Sequence, residues 1–249
     1  MKTLPALGFV LLANALHAQV DMNAILQQQG LNMRMEDDND PFVPNAFTGS
    51  FRMETHLFEN GAEKKDSPMN MRYWSSPEMS MVQMALPGQP SEGMKLLTDH
   101  KGKWQYMLMA DASGKRMAMK SKKKKMVMTG QAQDAPNPEV KVTVTRETKT
   151  IDGHLCTKVI GTSTKGTWTG WVAMKLTSPM KDIAKSVDMG DRDVAAEVSK
   201  LNGFPLEYEW LSTDGKERVV CNVHELSTTA VDAATFSLDG YEVVVIPGM

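Results

Sequence analysis

Apolar and polar side chains alternate with a period of two in many short segments of this chain. Within 51–57, for example, Phe51, Met53 and Leu57 are separated by polar or charged residues. Such alternation predicts a β-strand with one face on a core and the other in water. Turn dipeptides such as Asn60-Gly61 separate the segments. Further strands are predicted at 69–74, 79–84, 94–98, 103–109, 115–120, 125–129, 140–145, 155–161, 167–174, 206–210, 218–226 and 241–246.

One segment has a helical period instead. Ser178 suits the N-cap and Pro179 the first turn, and an apolar stripe follows at i, i+3, i+4 and i+7. The stripe consists of Met180, Ile183, Ala184 and Val187, and the helix is predicted to end by Asn202-Gly203. We therefore expect a mainly β fold, namely a single curved antiparallel sheet or half-open β-barrel with one amphipathic lid helix.

The first residues are typical of an export signal. A positive start at Lys2 precedes an apolar run over 4–13 and a small-residue box that ends at Ala18. This predicts a signal peptide at 1–18 and a periplasmic or secreted protein, whereas the alternative is a buried N-terminal helix. A short helix and an acidic linker are predicted at 19–45, and a single β-rich domain at 46–249.

Composition and motifs exclude several classes of protein. The chain has 28 Lys plus Arg against 30 Asp plus Glu, so no overall positive field favours nucleic acid. Mean hydropathy is −0.33, which argues against a multi-span membrane protein. The sequence lacks a Gly-x-Ser-x-Gly, a phosphate-binding glycine loop and a His-Glu-x-x-His motif. We expect no enzyme, cofactor or resident metal, although active sites assembled from distant strands leave little trace in a sequence.

Two cysteines, Cys156 and Cys221, lie in predicted strands. An even number of cysteines in an exported protein favours a disulfide between them. The alternative is two buried thiols that pack as small hydrophobic groups.

Several segments resemble the domain of unknown function family 4412 (DUF4412). They are 147–160, 168–173, 203–207 and 235–241, and the likeness extends over roughly 51–246. The family occurs in envelope and secreted proteins of Gram-negative bacteria. The resemblance implies a shape similar to the outer-membrane lipoprotein carriers, an unclosed barrel with a helical lid over an apolar cavity. It implies no catalytic residue.

Methionine is unusually frequent, at 21 of 249 residues, and many methionines are separated by a single residue. On a strand, that spacing puts both side chains on one face. Adjacent strands would then join them into a deformable thioether surface, suited to an apolar ligand such as a lipid. The predicted ligand-binding residues are Met69, Met71, Met79, Met81, Met107, Met109, Met117, Met119, Met126 and Met128, and Met33 and Met35 have the same spacing.

Two other interpretations of these pairs remain open. Methionine can simply fill gaps in a core. Thioethers also select copper(I), which would need three sulfurs, or two with a histidine or an aromatic ring. The function predicted is an exported, non-enzymatic protein that binds an apolar molecule, and the alternatives are a copper(I)-handling protein and a structural envelope component.

A basic run at Lys122, Lys123, Lys124 and Lys125 allows two interpretations. It could contact anionic lipid headgroups at a membrane surface. More often, such a run is a solvated hairpin tip.

Overall fold

The computed structural model describes residues 33–85, 94–110, 113–128, 139–179 and 192–246. The strands are β1 (Met33–Asp37), β2 (Gly49–Glu59), β3 (Ala62–Glu63), β4 (Met69–Ser75), β5 (Met79–Ala85), β6 (Met94–Asp99), β7 (Trp104–Ala110), β8 (Arg116–Lys122), β9 (Lys124–Met128), β10 (Lys141–Ile151), β11 (His154–Thr162), β12 (Gly166–Ala173), β13 (Phe204–Ser212), β14 (Glu217–Ser227) and β15 (Glu242–Val245). The helices described are α1 (Arg192–Ser199) and a 3₁₀ helix (Ala233–Phe236).

The described residues divide into two compact units. The first contains 33–37 and 124–128, where β1 and β9 form an antiparallel pair. The second contains the other described residues. The expectation of a helix and linker before residue 46 is therefore wrong at 33–37, which is a strand, and β9 lies outside the larger unit.

The larger unit contains a curved, open sheet of 13 strands. Its order is β10-β11-β12-β13-β14-β2-β4-β5-β6-β7-β8-β15, with β3 beside β2. These pairs are antiparallel except the last, because β15 runs parallel to β8. The mainly β prediction is confirmed, and the parallel final strand is a departure from it. A sequence pattern shows where a strand lies but not which neighbour it pairs with.

Alternation along the strands buries one face, as predicted. Phe51, Met53 and Thr55 on β2 are buried, whereas Arg52 between them is exposed. Asn60 and Gly61 end this strand with φ angles of 51° and 81°, as a tight hairpin turn requires.

A large core lies on the sheet face that carries Phe51, which we call the helix face. Val159 on β11, Trp168 on β12 and Phe204 on β13 pack there, together with Val194 and Val198 from α1. Gly161 on β11 lies beneath the helix, and a Cβ at this position would clash with Val194 Cγ1. The missing side chain allows close approach of helix and sheet.

A second core covers the other face, which we call the tail face. Met81, Leu97, Leu108 and Ala118 form it, and Phe236 from the 3₁₀ helix packs over them. The two cores thus lie on opposite faces of one sheet, and the C-terminal segment serves as the second cover.

Three predictions fall wholly or partly outside the described residues. The signal peptide at 1–18 lies outside them, as do residues 19–32 of the predicted helix and linker and the stripe at 180–187. Helix α1 lies in the later part of the predicted helical segment, and its buried residues place it on the helix face. Among the described helices, none has both the length and the apolarity needed to cross a membrane.

Candidate functional site

The methionine pairs separated by one residue lie on strands, but they do not share a single face. Met71 pairs with Met84, whereas Met81 pairs with Trp74, the residue after Tyr73. Met69 and Met71 therefore lie on the helix face, and Met79 and Met81 lie on the tail face. Met81 belongs to the second core. The prediction of one surface common to all the pairs is wrong for Met79 and Met81, because register decides which face a strand presents.

On the helix face, methionines line up across strands rather than along them. Met53 pairs with Met71, Met71 with Met84, and Met84 with Met94. Lys95 pairs with Leu108, so Met94, which precedes Lys95, and Met109, which follows Leu108, are neighbours across β6 and β7. Met109 in turn pairs with Met117 on β8. We call this line the methionine row; it comprises Met53, Met71, Met84, Met94, Met109 and Met117. Sequence reasoning missed Met53, Met84 and Met94, whose only signal was their place in alternating segments.

A second apolar row runs beside the first. It contains Phe51, Tyr73, Val82, Leu96, Met107 and Met119, each paired with the next across neighbouring strands. Where the two rows cross β7 and β8, they bring together Met107, Met109, Met117 and Met119, which we call the methionine quartet. Its cross-strand pairs are Met107–Met119 and Met109–Met117.

Burial changes along the rows. Met53 and Met71 are buried in the large core, with 3% and 6% of their surface exposed. Met84 is 39% exposed, Met94 50% and Leu96 37%. The quartet is half-buried and belongs to neither core. The gap-filling interpretation therefore suits Met53, Met71 and Met81, whereas the methionines of β6–β8 form an apolar surface beyond the core.

Met126 and Met128 lie on β9, in the smaller unit, opposite Met35 and Met33 of β1. Their backbone positions are described, and their side chains lie outside the described part of the structure.

A cavity of about 310 Å³ adjoins the large core of the bigger unit. Phe47 and Tyr73 form its apolar wall, and Met174, Leu201 and Asn45 also line it. None of the predicted ligand-binding methionines is among its lining residues. The cavity therefore lies apart from the predicted methionines, although Tyr73 of the second apolar row forms part of its wall.

The expected disulfide is not formed. Cys156 and Cys221 are both buried free thiols. They lie on β11 and β14, and β12 and β13 stand between these strands. Three strand spacings amount to roughly 14 Å along the sheet, whereas bonded cysteines need Cα atoms about 4.4–6.8 Å apart. Burial raises the pKa of both thiols, that of Cys221 to about 11. The alternative interpretation, two small apolar core residues, fits this geometry.

The basic run is paired with the acidic segment that was expected to be a linker. In the smaller unit, Glu36 lies opposite Lys125 and Asp37 opposite Lys124 across the β1–β9 pair. Their charged groups form ion pairs, with 2.5 Å between Lys124 Nζ and Asp37 Oδ1. Because carboxylates pair with Lys124 and Lys125, these lysines offer less net charge to an anionic membrane than the sequence suggested.

Asp38, at the start of the larger unit, is a buried carboxylate held by two lysines. Lys123 Nζ lies 2.6 Å from its Oδ2 and Lys103 Nζ 3.4 Å from its Oδ1, and the Asp40 N–H also donates to it. Burial raises the pKa of Asp38, but these hydrogen bonds outweigh burial and hold the pKa below its usual value. This group is a structural anchor for the chain segment before β2.

Two histidines, His56 and His100, form hydrogen bonds that support the fold. His56 lies between two carboxylates, with Nδ1 and Nε2 each 2.6 Å from an oxygen of Glu63 and Glu54. The hydrogen bond with Glu63 raises the pKa of His56, although partial burial opposes this. His100 bonds to Ser80 Oγ. In the described ranges, no three His, Cys, Asp or Glu side chains are arranged to hold a metal ion.

Comparison with known proteins shows remote structural likeness. PNGF-II has a TM-score of 0.34 at 10% identity over 80% of this chain, which spans only 31% of the PNGF-II chain. The Pseudomonas aeruginosa MucA/MucB complex gives 0.36 at 12% identity, covering 76% of this chain and 55% of the other. An outer membrane lipoprotein-sorting protein domain from Vibrio parahaemolyticus gives 0.27 at 8% identity, covering 76% and 89%. No curated protein matches the sequence.

The family can be assigned from the sequence itself. The profile of the domain of unknown function DUF4412 matches residues 47–240. This range contains β2–β14, α1, the 3₁₀ helix and both cores. The family has no assigned activity, so its name adds no catalytic residue to the site. The match confirms the resemblance found in the turn and strand segments, and the chain belongs to the DUF4412 family.

Proposed function

We propose that this protein is an exported, non-enzymatic binding protein that holds an apolar molecule, such as a lipid acyl chain, on the helix face of β5–β8. One observation carries the proposal, the exposed surface of Met84, Met94 and Leu96 that continues into the half-buried quartet. A contiguous exposed apolar patch with polar residues at its rim is typical of a ligand-binding surface.

The distribution of charge supports an apolar ligand. On β5–β8, the charged side chains alternate with the methionines and so project from the tail face. They are Lys95, Asp99, Arg116, Lys120 and Lys122. The helix face of these four strands carries only uncharged side chains, with Ser80, Thr98, Gln105 and Ser121 at its polar end.

The energy available is modest but sufficient for reversible binding. Full burial of a methionine or leucine side chain contributes about 1.5–3 kcal/mol. Covering the exposed portions of Met84, Met94 and Leu96 therefore contributes about 1 kcal/mol each. Flexible thioethers can adjust to acyl chains of different shape.

The test compares ligand uptake by matched variants of the mature chain. Met84→Gln with Met94→Gln makes the patch polar, and a fluorescent fatty acid should then bind at least about tenfold more weakly. Leu155→Gln with Leu211→Gln is the control, because these leucines are 61% and 39% exposed on other strands. The control should bind as the wild type does.

Native mass spectrometry of protein purified from the cell envelope provides a second test. Co-purifying lipid and a mature N-terminus at Gln19 are expected. A clean apo mass together with no fatty-acid uptake would reject the proposal and favour the structural envelope component.

A further inference from the structure

The methionine quartet combines two features that a soft-metal site needs. Its members form two adjacent cross-strand pairs, Met107–Met119 and Met109–Met117, on one face of two neighbouring strands. Directly opposite residues have Cβ atoms about 4.5–5.5 Å apart, and residues i and i+2 on one strand are about 6.5–7 Å apart. Four flexible thioethers therefore start from the corners of a small rectangle and can converge above its centre.

The described neighbours of the quartet on β6, β7, β8 and β15 offer few competing ligands. Leu96 on β6 and Val244 on β15 flank the pair Met107–Met119. Glu242 on β15 lies opposite Met117, and its carboxylate forms an ion pair with Lys115. The next pair along the strands is Gln105 and Ser121, which are neutral. Imidazole is absent from the helix face of β5–β8, so borderline and hard cations such as Zn²⁺ and Mg²⁺ find no preferred ligands there.

The quartet lies outside both cores formed by the described residues, whereas Met53, Met71 and Met81 lie within them. Half-burial still removes part of its surface from water, which favours a cation of single charge because such an ion costs less to desolvate. Thioether sulfur combines with copper(I) in preference to harder ions.

We propose that Met107, Met109, Met117 and Met119 form a binding site for one copper(I) ion. The site uses three or four thioether sulfurs as ligands, and silver(I), a similarly soft monovalent ion, occupies it in the same way. The inference does not depend on the apolar ligand, since leucine can replace methionine in an apolar surface but cannot bind copper.

The experiment measures copper(I) affinity of the mature chain under anaerobic conditions, by competition with the chromogenic chelator bicinchoninate. The wild type should take up one copper(I) per chain. Met107→Leu with Met119→Leu should weaken binding at least about tenfold, and the quadruple Met→Leu variant should lose it. Leucine conserves volume, so these variants should retain the fold.

Methionine methyl resonances identify the ligands directly. In protein labelled with methyl-¹³C methionine, silver(I) should shift the four quartet signals and leave the core signals of Met53 and Met81 in place. The unmoved signals also report that each variant is folded. Zinc should shift none of the four.

Matched controls separate this site from the other methionines. Met79→Leu with Met81→Leu changes the pair on the tail face and should keep wild-type affinity for copper(I), as should the Met84→Gln, Met94→Gln variant. The Leu155→Gln, Leu211→Gln variant changes neither surface and should bind both copper(I) and fatty acid as the wild type does. Absence of copper(I) uptake by the folded wild type overturns the inference, and so does unchanged affinity in the quadruple variant.

Discussion

Replacing Gly161 with alanine tests how α1 is held on the sheet. The new Cβ would clash with Val194 Cγ1. Valine is stiff at χ1, so the clash cannot be relieved by rotation at low cost. Overpacking of a core destabilises the folded state by about 1–3 kcal/mol. Replacing glycine by alanine offsets about 0.5–1 kcal/mol of this loss, because it lowers the conformational entropy of the unfolded chain. We expect Gly161→Ala to destabilise the protein by about 1–2 kcal/mol.

A double-mutant cycle tests the cause. Val194 is 1% exposed, so Val194→Ala removes two buried methyl groups and costs about 2 kcal/mol with its cavity. In the double variant, the alanine at 161 occupies space left by Val194. The destabilisation of the double variant should therefore be smaller than the sum of the two single destabilisations by about 1 kcal/mol or more. Urea unfolding followed by tryptophan fluorescence measures each value. Strict additivity would refute close packing of α1 on Gly161.

Other predictions concern the titrating groups. Asp38→Asn should cost about 1–3 kcal/mol at pH 7 because it removes charge-assisted hydrogen bonds with Lys123. The folded pKa of Asp38 is lowered, so this stability is present above its unfolded pKa and should disappear as pH falls through the folded value in acid unfolding experiments. The pKa of His56 is raised, so its contribution is full below about pH 6.5 and is lost as pH rises through the folded value; NMR titration should give a pKa above that of a free histidine. Cys156 and Cys221 should resist alkylation in the native protein and react as two free thiols in denaturant without reductant; a two-Da mass deficit with no reaction would contradict this.

The strands could be predicted from the sequence because alternation is a local property. The segments around Phe51, Met81 and Trp168 all lie in strands close to their predicted positions. Register and face could not be predicted, because they depend on which strand pairs with which and on turn geometry. For this reason, the pairs along strands were visible in the sequence, whereas the row from Met53 to Met117 was not.

The remaining differences also arise from long-range pairing. Glu36 was predicted to lie in a linker and Lys125 at a hairpin tip. Instead, the two residues lie opposite each other on β1 and β9, where complementary charges pair across the strands. Cys156 and Cys221 each lie in a strand, as predicted, but strand order keeps them apart. Nothing local in the sequence fixes that order.

The position of Phe236 and β15 has a consequence for how the chain acquires its structure. Phe236 completes a core whose other members, such as Leu97 and Leu108, lie far before it in the sequence, and β15 adds a strand beside β8. Pairing β15 with β8 joins sequence-distant residues, and such contacts form slowly. The tail-face core and this edge of the sheet therefore cannot be completed until the segment that contains Phe236 and β15 has been made.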